Sequence, residues 1–355
     1  VNPASPQCVR YDFGIVGQGI AGTMLAWFLR KRQKKVLVID SHHEGSSTIV
    51  AAGLINPITG KRYVKSWRYE ELFQFAMETY RSLETELGCP LLDSRGIHWV
   101  LKSAAEENAW LARTADPLYR EYMLESVPEA ISPGILKPPK AGALRGAAQV
   151  NLPLLVSGLR RKWAHEGCII GEKIDFQQLT SGSQEVFYKN YTFEKLIFCE
   201  GAAAVRNPFF QFLPFEPSKG EALIIDVDAP KWQTVIKNEI AIIPLPEGTF
   251  WAGAYNTWDT DDDSPTPEAY AYLNSKLSET LGVAYRVAGH IAAIRPTVKD
   301  RRPLLGAHPD LPQFAIFNGL GTKGGILAPF FAAQMADFLS ENTSLDAEVD
   351  IRRFG

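Results

Sequence analysis

Two hydrophobic periods alternate along the chain. Residues 11 to 17 form an apolar run and 20 to 32 carry a broad apolar helical face. "KKVLVID", 34 to 40, is a second short apolar run that ends in an acid. This succession predicts strand, helix, strand. In "RYEELFQFAMETYRSLETELG", 68 to 88, Leu72, Phe75, Ala76, Tyr80, Leu83 and Leu87 fall on one helix face, and Gly88 closes the helix. "GIHWVL", 96 to 101, predicts a strand, and "AAEENAWLARTA" after it a short surface helix. The proline- and glycine-rich stretch 128–142 predicts a boundary. Beyond it come a helix over 151–167 and strands over 168–176, 185–190 and 195–202. From 216 to 254 the chain turns to strand runs, "GEALIIDV", "IAIIPL" and "TFWAGAY". Thr266 and Pro267 open a helix that runs to about 281, with proline in the first turn. "VAGHIAAIRP" and "FAIFNGL" are strands, and 325–340 is a closing helix. The expected fold is α/β: a discontinuous Rossmann-type domain (1–90, 140–214 and 291–355) and a mostly antiparallel β-sheet cap (91–139 and 215–290).

Composition narrows the picture. A chain of 355 residues, 46% hydrophobic and 22% charged, suits two globular domains. A net charge of −3 argues against a strongly basic nucleic-acid binder. Cys8, Cys89, Cys168 and Cys199 are widely spaced and form no CxxC pair. They read as reduced thiols of a cytoplasmic protein. The histidines have no metal-ligand spacing, and adjacent His42 and His43 point apart, so no metal is expected. Residues 11–29 are apolar enough to imitate a membrane anchor. Their spaced glycines and the strand that follows favour a soluble segment, so no membrane partner is expected. Nothing in the sequence bears on oligomeric state.

The candidate chemistry lies in two glycine-rich turns. Gly17-Gln18-Gly19-Ile20-Ala21-Gly22 fits GxGxxG, follows a strand, opens a helix, and precedes a strand that ends at Asp40, eighteen residues past Gly22. In that context Gly17 permits a tight turn, Gly19 lets a pyrophosphate approach the backbone, and Gly22 lets helix and strand pack closely. The helix N-terminus would face the phosphates. Asp40 could accept both ribose hydroxyls. The ligand is then FAD or NAD. "NGLGTKGGILAP", 318 to 329, places Gly319, Gly321, Gly324 and Gly325 before another helix. An NAD enzyme has no need of this second turn. Reduced flavin carries negative charge at its N1–C2=O edge, which a helix N-terminus and Lys323 could stabilise. The pair of turns favours FAD.

On these residues the chain resembles FAD-dependent oxidoreductases of the D-amino-acid oxidase family, in the glycine oxidase and sarcosine oxidase branch. The resemblance rests on "GIVGQGIAG", "SSTIVAAGLINP", "PSKGEALII", "AIRPTVKDRRPLLG" and "NGLGTKGGILAP". "AGAYNTWDTDDD" and "ILAPFFAAQM" also look like the flavin domain of the bacterial bifunctional tRNA wobble-uridine modifying enzyme. The family implies a glycine-oxidase-like fold with Ser41, Ser47, Thr48, Ala52, Gly53 and Leu54 on the flavin side. It also implies Ile174, Glu200 and Gly201 near adenine and ribose, and Leu320, Thr322 and Gly324 in the second turn. No cysteine occupies the usual covalent-flavin position, so FAD is expected to be non-covalent.

Arg295 precedes a proline at a strand end and shares an apolar face with Ile291 and Ala293. It reads as a bidentate grip on a substrate carboxylate, with a structural ion pair as the alternative. The family supports the grip, with Lys323 where relatives often carry a second basic group. Two departures stand out. Ala241 replaces a tyrosine that often precedes "IIP", leaving Tyr255 as the candidate to cover that pocket. The lysine that sarcosine oxidases carry on the strand reading Phe250-Trp251-Ala252 is absent, which leaves the electron acceptor open. The expected reaction is hydride transfer from the carbon beside an amine to flavin N5, with hydrolysis of the imine. The substrate is a small amino acid or N-substituted glycine. The alternatives are a carboxymethylaminomethyl group on tRNA, for which the basic "GKRYVKSWR" at 60–68 is a candidate dock, and a flavin-binding module without turnover.

Overall fold

The structure, a computed structural model, describes residues 9–42, 44–125, 135–137, 140–182, 184–228, 232–258 and 260–355. Most of the expected boundary at 128–142, together with Cys8, His43 and Asp259, lies outside them. The opening unit forms as its hydrophobic period requires, with strand Val9–Val16, helix Ile20–Lys31 and strand Val36–Ile39. A parallel core follows in the order Ile169–Ile170, Val36–Ile39, Val9–Val16, Tyr191–Phe198, Phe314–Asn318. The second edge of Tyr191–Phe198 is shared. Antiparallel Val186–Tyr188 takes its first half and parallel Phe314–Asn318 its second. Val36–Ile39, Phe314–Asn318 and the second half of Val9–Val16 are buried on both faces, which explains their continuous apolar runs.

The helices on one face pack through the last of them, Gly324–Glu341, which lies between Ile20–Lys31 and Tyr69–Leu87. This helix contains Pro329, which has no N–H to give the carbonyl four residues back. That carbonyl, of Gly325, accepts from the buried Tyr80 hydroxyl at 2.6 Å instead. Tyr69–Leu87 ends at Gly88 in the left-handed region, as the sequence predicts. Thr266 caps Pro267–Thr280 by accepting from the Ala269 N–H at 3.3 Å.

The second sheet runs Tyr285–Arg295, Ser218–Val227, Phe250–Thr257, Ala241–Pro244, Val235–Lys237, Leu92–Val100, Ala141–Val150, Leu54–Ile55. It is antiparallel except where Val235–Lys237 meets Leu92–Val100. Three of its strands cross the expected division of the chain. Leu54–Ile55, Ala141–Val150 and the end of Tyr285–Arg295 belong to this sheet, although the sequence assigns them to the nucleotide-binding part. One face carries Pro267–Thr280 over Leu223, Ile225, Ile242 and Phe250. The other faces the parallel sheet across a deep cleft. Two predicted strands are shorter than the periodicity suggests: 168–176 pairs only at Ile169–Ile170, and 195–202 leaves the sheet after Phe198. Among the described residues, no helix is long and apolar enough to cross a membrane.

Candidate active site

The cleft measures about 1580 Å³. Small-molecule pockets are usually about 300–1,000 Å³, so this one has room for a dinucleotide and a second, smaller molecule. The C-terminal ends of the parallel strands open into it, at Gly17, Asp40, Ile174, Glu200 and Asn318. That is where an open α/β sheet collects its ligands.

The first turn has the geometry its glycines allow. Gly17 lies at φ +99°, and a Cβ there would come 2.5 Å from the Cys199 carbonyl oxygen. A Cβ on Gly22 would come 1.9 Å from the Gly17 carbonyl oxygen, so that glycine serves helix–strand packing and does not line the cleft. Gly19, Ile20 and Ala21 bring the helix N-terminus to the cleft wall. Thr48 reaches across and accepts from the Ile20 N–H at 3.0 Å. Asp40 lines the cleft, but its carboxylate already has protein partners. Oδ2 accepts from the Gln18 N–H, and Oδ1 from His42 N–H and Arg160, each at 2.7 Å. Oδ2 keeps acceptor capacity for a ribose hydroxyl. Gln18 points away from the cleft toward Arg160 and the Val156 carbonyl. Arg160, on helix Leu152–His165, gave no motif signal. Strand-to-helix packing alone brings it to the turn.

Ser41, Ser47, Ala52, Gly53, Leu54 and Gly201 also line the cleft. Gly53 lies at φ +71°, and a Cβ there would come 1.9 Å from the Val150 carbonyl oxygen. The loop bearing these residues is tied to the second sheet by two side chains that the sequence did not single out. Trp251 donates from Nε1 to the Val50 carbonyl at 3.1 Å. Buried Gln149 donates to the carbonyls of Ala52 and Pro244, both at 3.0 Å, and accepts from Arg95 at 2.9 Å. Glu200 accepts from Asn207 at 2.6 Å, yet burial pushes its carboxyl up to about 7.

In the second turn, Leu320, Gly321, Thr322, Gly324 and Gly325 line the cleft. Gly319 does not. Its φ of +76° and the proximity of Val298 and Leu304 make it a packing glycine. The expected role of Lys323 is corrected. Its backbone caps the helix, and its side chain turns away to donate to Ser66 Oγ at 3.2 Å. Burial, then Arg302 and Arg301, lower its pKa.

On the second sheet, Arg295 lines the cleft with no carboxylate partner among the described residues. Its guanidinium lies directly over Gly220, where a Cβ would come 1.9 Å from Nη2. Nη1 donates to Asn256 Oδ1. Burial lowers the arginine's pKa. Tyr255 is the second correction. Counting by twos from Trp251 and Gly253 puts it in the cleft. Ala254, however, is an extra residue opposite Glu221 and Ala222, and this bulge reverses the alternation. Tyr255 therefore faces Tyr272 and donates to Glu268 at 2.7 Å, while Asn256 takes the cleft side. Ala241 and Trp251 also line the cleft. So does Lys237, which no sequence motif marked.

A family model described as FAD dependent oxidoreductase matches residues 12–338. The chain belongs to that family. Across this FAD-dependent oxidoreductase, 95% of the chain aligns with 95% of the glycine oxidase of Geobacillus kaustophilus at 26% identity. The crystal structure of glycine oxidase from Geobacillus kaustophilus superposes with a TM-score of 0.79 at 21% identity, covering 98% of each chain. That of iminodiacetate oxidase (IdaA) from Chelativorans sp. BNC1 gives 0.76 at 21%, covering 97% of this chain and 98% of that one. The fold is glycine-oxidase-like. A part match, 27% identical, joins 43% of this chain to 27% of the tRNA 5-methylaminomethyl-2-thiouridine biosynthesis bifunctional protein MnmC of Marinobacter nauticus.

Proposed function

We propose that the protein oxidises the C–N bond of a small amino acid or N-substituted glycine and holds FAD non-covalently in the cleft. The observation that carries this reading is Arg295. Its guanidinium is half-buried on the cleft wall with no carboxylate partner among the described residues, and a ligand carboxylate would supply one. Gly220 makes room for the planar fork and Asn256 fixes its roll, an arrangement suited to a bidentate carboxylate. The first turn fits a pyrophosphate: Gly17 and Gly19 keep its surface bare, and the helix N-terminus supplies partial positive charge. FAD, when bound, supplies the acceptor for the hydride lost from the carbon beside the amine, and water hydrolyses the imine left behind. The chain's own part is to orient the substrate through its carboxylate and to present a largely apolar wall, with Ile243 and Trp251, that keeps the amine neutral and limits water.

The tRNA reading has less support. No residue of 60–68 lines the cleft. Within that stretch Lys65 pairs with Glu70, Arg68 pairs with Glu71 and Asp346, and Trp67 stacks on Phe331. Asp261, Asp262 and Asp263 line the cleft instead, a poor approach for a polyanion. The test is anaerobic bleaching of the holoprotein's flavin by a panel of glycine, sarcosine, proline and D-amino acids, then by hypomodified tRNA. Bleaching by a small amino acid is expected, and Arg295→Ala should raise KM by about 100-fold or more. Bleaching by tRNA alone would replace this reading with the second. Bleaching by neither, in protein that holds FAD, would leave a flavin-binding module.

A further inference from the structure

Lys237 is the residue of the cleft that the proposed reaction leaves unused. It ends strand Val235–Lys237 and has no carboxylate or hydrogen-bond partner for Nζ among the described residues. The indole of Trp99, next to it in register on Leu92–Val100, lies 5.1 Å from Nζ. An aromatic face stabilises an ammonium without neutralising it. Burial lowers the lysine's pKa, and an anion placed beside it would favour the charged form.

The register of the sheet relates Lys237 to Arg295. Lys237 pairs with Ala241, Ala241 with Gly253, and Gly253 with Ala222, one row across four strands. All four residues line the cleft. Two positions along the last strand lies Gly220, beneath the Arg295 guanidinium. Along this row the backbone carries only methyl groups or hydrogens, and the edge of the Trp251 indole lies over Gly253, 2.8 Å from where a Cβ there would sit. On a flat sheet, three interstrand steps and a two-residue offset make about 16 Å between the backbone positions. Nζ rests beside Trp99, and the lysine's flexible four-carbon stem can swing it from there toward Arg295.

Two unpaired cations on one cleft wall select a dianion over a monoanion. We propose that the cleft takes an amino or imino dicarboxylic acid, with Arg295 gripping one carboxylate and Lys237 the other. The amine is then held between them, beside the Trp251 indole and between Ala222 and Ala241. The absence of a bulky side chain at Ala241 is what opens the lysine's half of the floor. This inference rests on the amino-acid oxidation reading and narrows its substrate.

Binding without turnover separates the two claims. Oxydiacetate carries two carboxylates and methoxyacetate one, and neither has an amine to oxidise. Each is titrated into the holoprotein while the flavin spectrum is followed. Oxydiacetate should bind about tenfold or more tightly than methoxyacetate. Lys237→Gln should bring the ratio toward one, and Lys237→Arg should keep it. Equal affinity in the wild type, or a ratio that Lys237→Gln leaves unchanged, overturns the proposal. If Lys237→Gln fails to retain flavin, the wild-type ratio decides alone. Bleaching by monocarboxylic amino acids together with equal affinity for the two probes would remove the dicarboxylate claim and leave the oxidation reading standing. A high, lysine-dependent ratio with no bleaching by any amino acid would do the reverse.

Discussion

At the scale of single residues, the environment of Arg295 is set by its neighbours. Gly220 is paired with Asn256 on one side and Ala293 on the other, and its missing side chain is the seat of the guanidinium. Gly220→Ala should push the guanidinium off that seat. The expected result is a rise in KM for the carboxylate substrate of at least about tenfold with flavin content unchanged, measured by steady-state kinetics and the absorbance ratio of the purified protein. Glu200 makes a pH prediction. Burial pushes its carboxyl up to about 7, from an ordinary value of 4.5. The folded state holds this proton more tightly than the unfolded state, so stability falls as pH rises from about 4.5 to about 7. Glu200→Gln should therefore raise the Tm of the flavin-free protein by a few degrees at pH 8, with the gain vanishing near pH 4.5. A constant gain across that range would contradict the assignment. Arg295 was legible because a proline and an apolar alternation mark it within its own strand. Gly220 and Lys237 were not, because the reason for each lies on a neighbouring strand. Tyr255 misled for a related cause: a one-residue bulge opposite Glu221 and Ala222 leaves no trace in the alternation of Phe250–Thr257.

At the scale of elements, the final helix depends on a bond from outside. Tyr80 supplies the donor that Pro329 withholds from the Gly325 carbonyl, and Gly325 lines the cleft. Tyr80→Phe keeps the ring and strands that carbonyl. The expected cost is about 1–3 kcal/mol in urea denaturation, accompanied by weaker FAD retention because the loosened turn borders the cleft. The helix itself was plain in the sequence, as were the opening βαβ unit and the capped helix at Thr266. Long apolar periodicity and end signals are local. Partnership between Tyr69–Leu87 and Gly324–Glu341 is not, and Lys323 shows the consequence. The sequence puts a cation at the turn, but only the packed helix end shows that its side chain leaves toward Ser66.

At the scale of the whole molecule, the cleft is the joint between two sheets, and its ligand should act as part of the structure. Adding FAD to flavin-free protein at about 100 times its Kd should stabilise the fold by about 2.7 kcal/mol, read as a rise in Tm that grows with FAD concentration. A Tm independent of FAD would separate the cleft from the fold's stability. The α/β class was legible from the order of elements, whereas the sheet memberships of Leu54–Ile55 and Ala141–Val150 required long-range pairing that no local pattern encodes. The links from Trp251 to Val50 and from Gln149 to Ala52 have a consequence for changing what this protein accepts. The backbone that would carry the cofactor and the floor that would carry the substrate are fastened to each other. A redesign that shifts the strand Phe250–Thr257 to widen the floor would drag the cofactor loop with it, trading reach for alignment. Exchanges confined to the side chains at Ala222 and Ala241 leave that fastening intact, and they are where a new specificity can be built without retuning the chemistry.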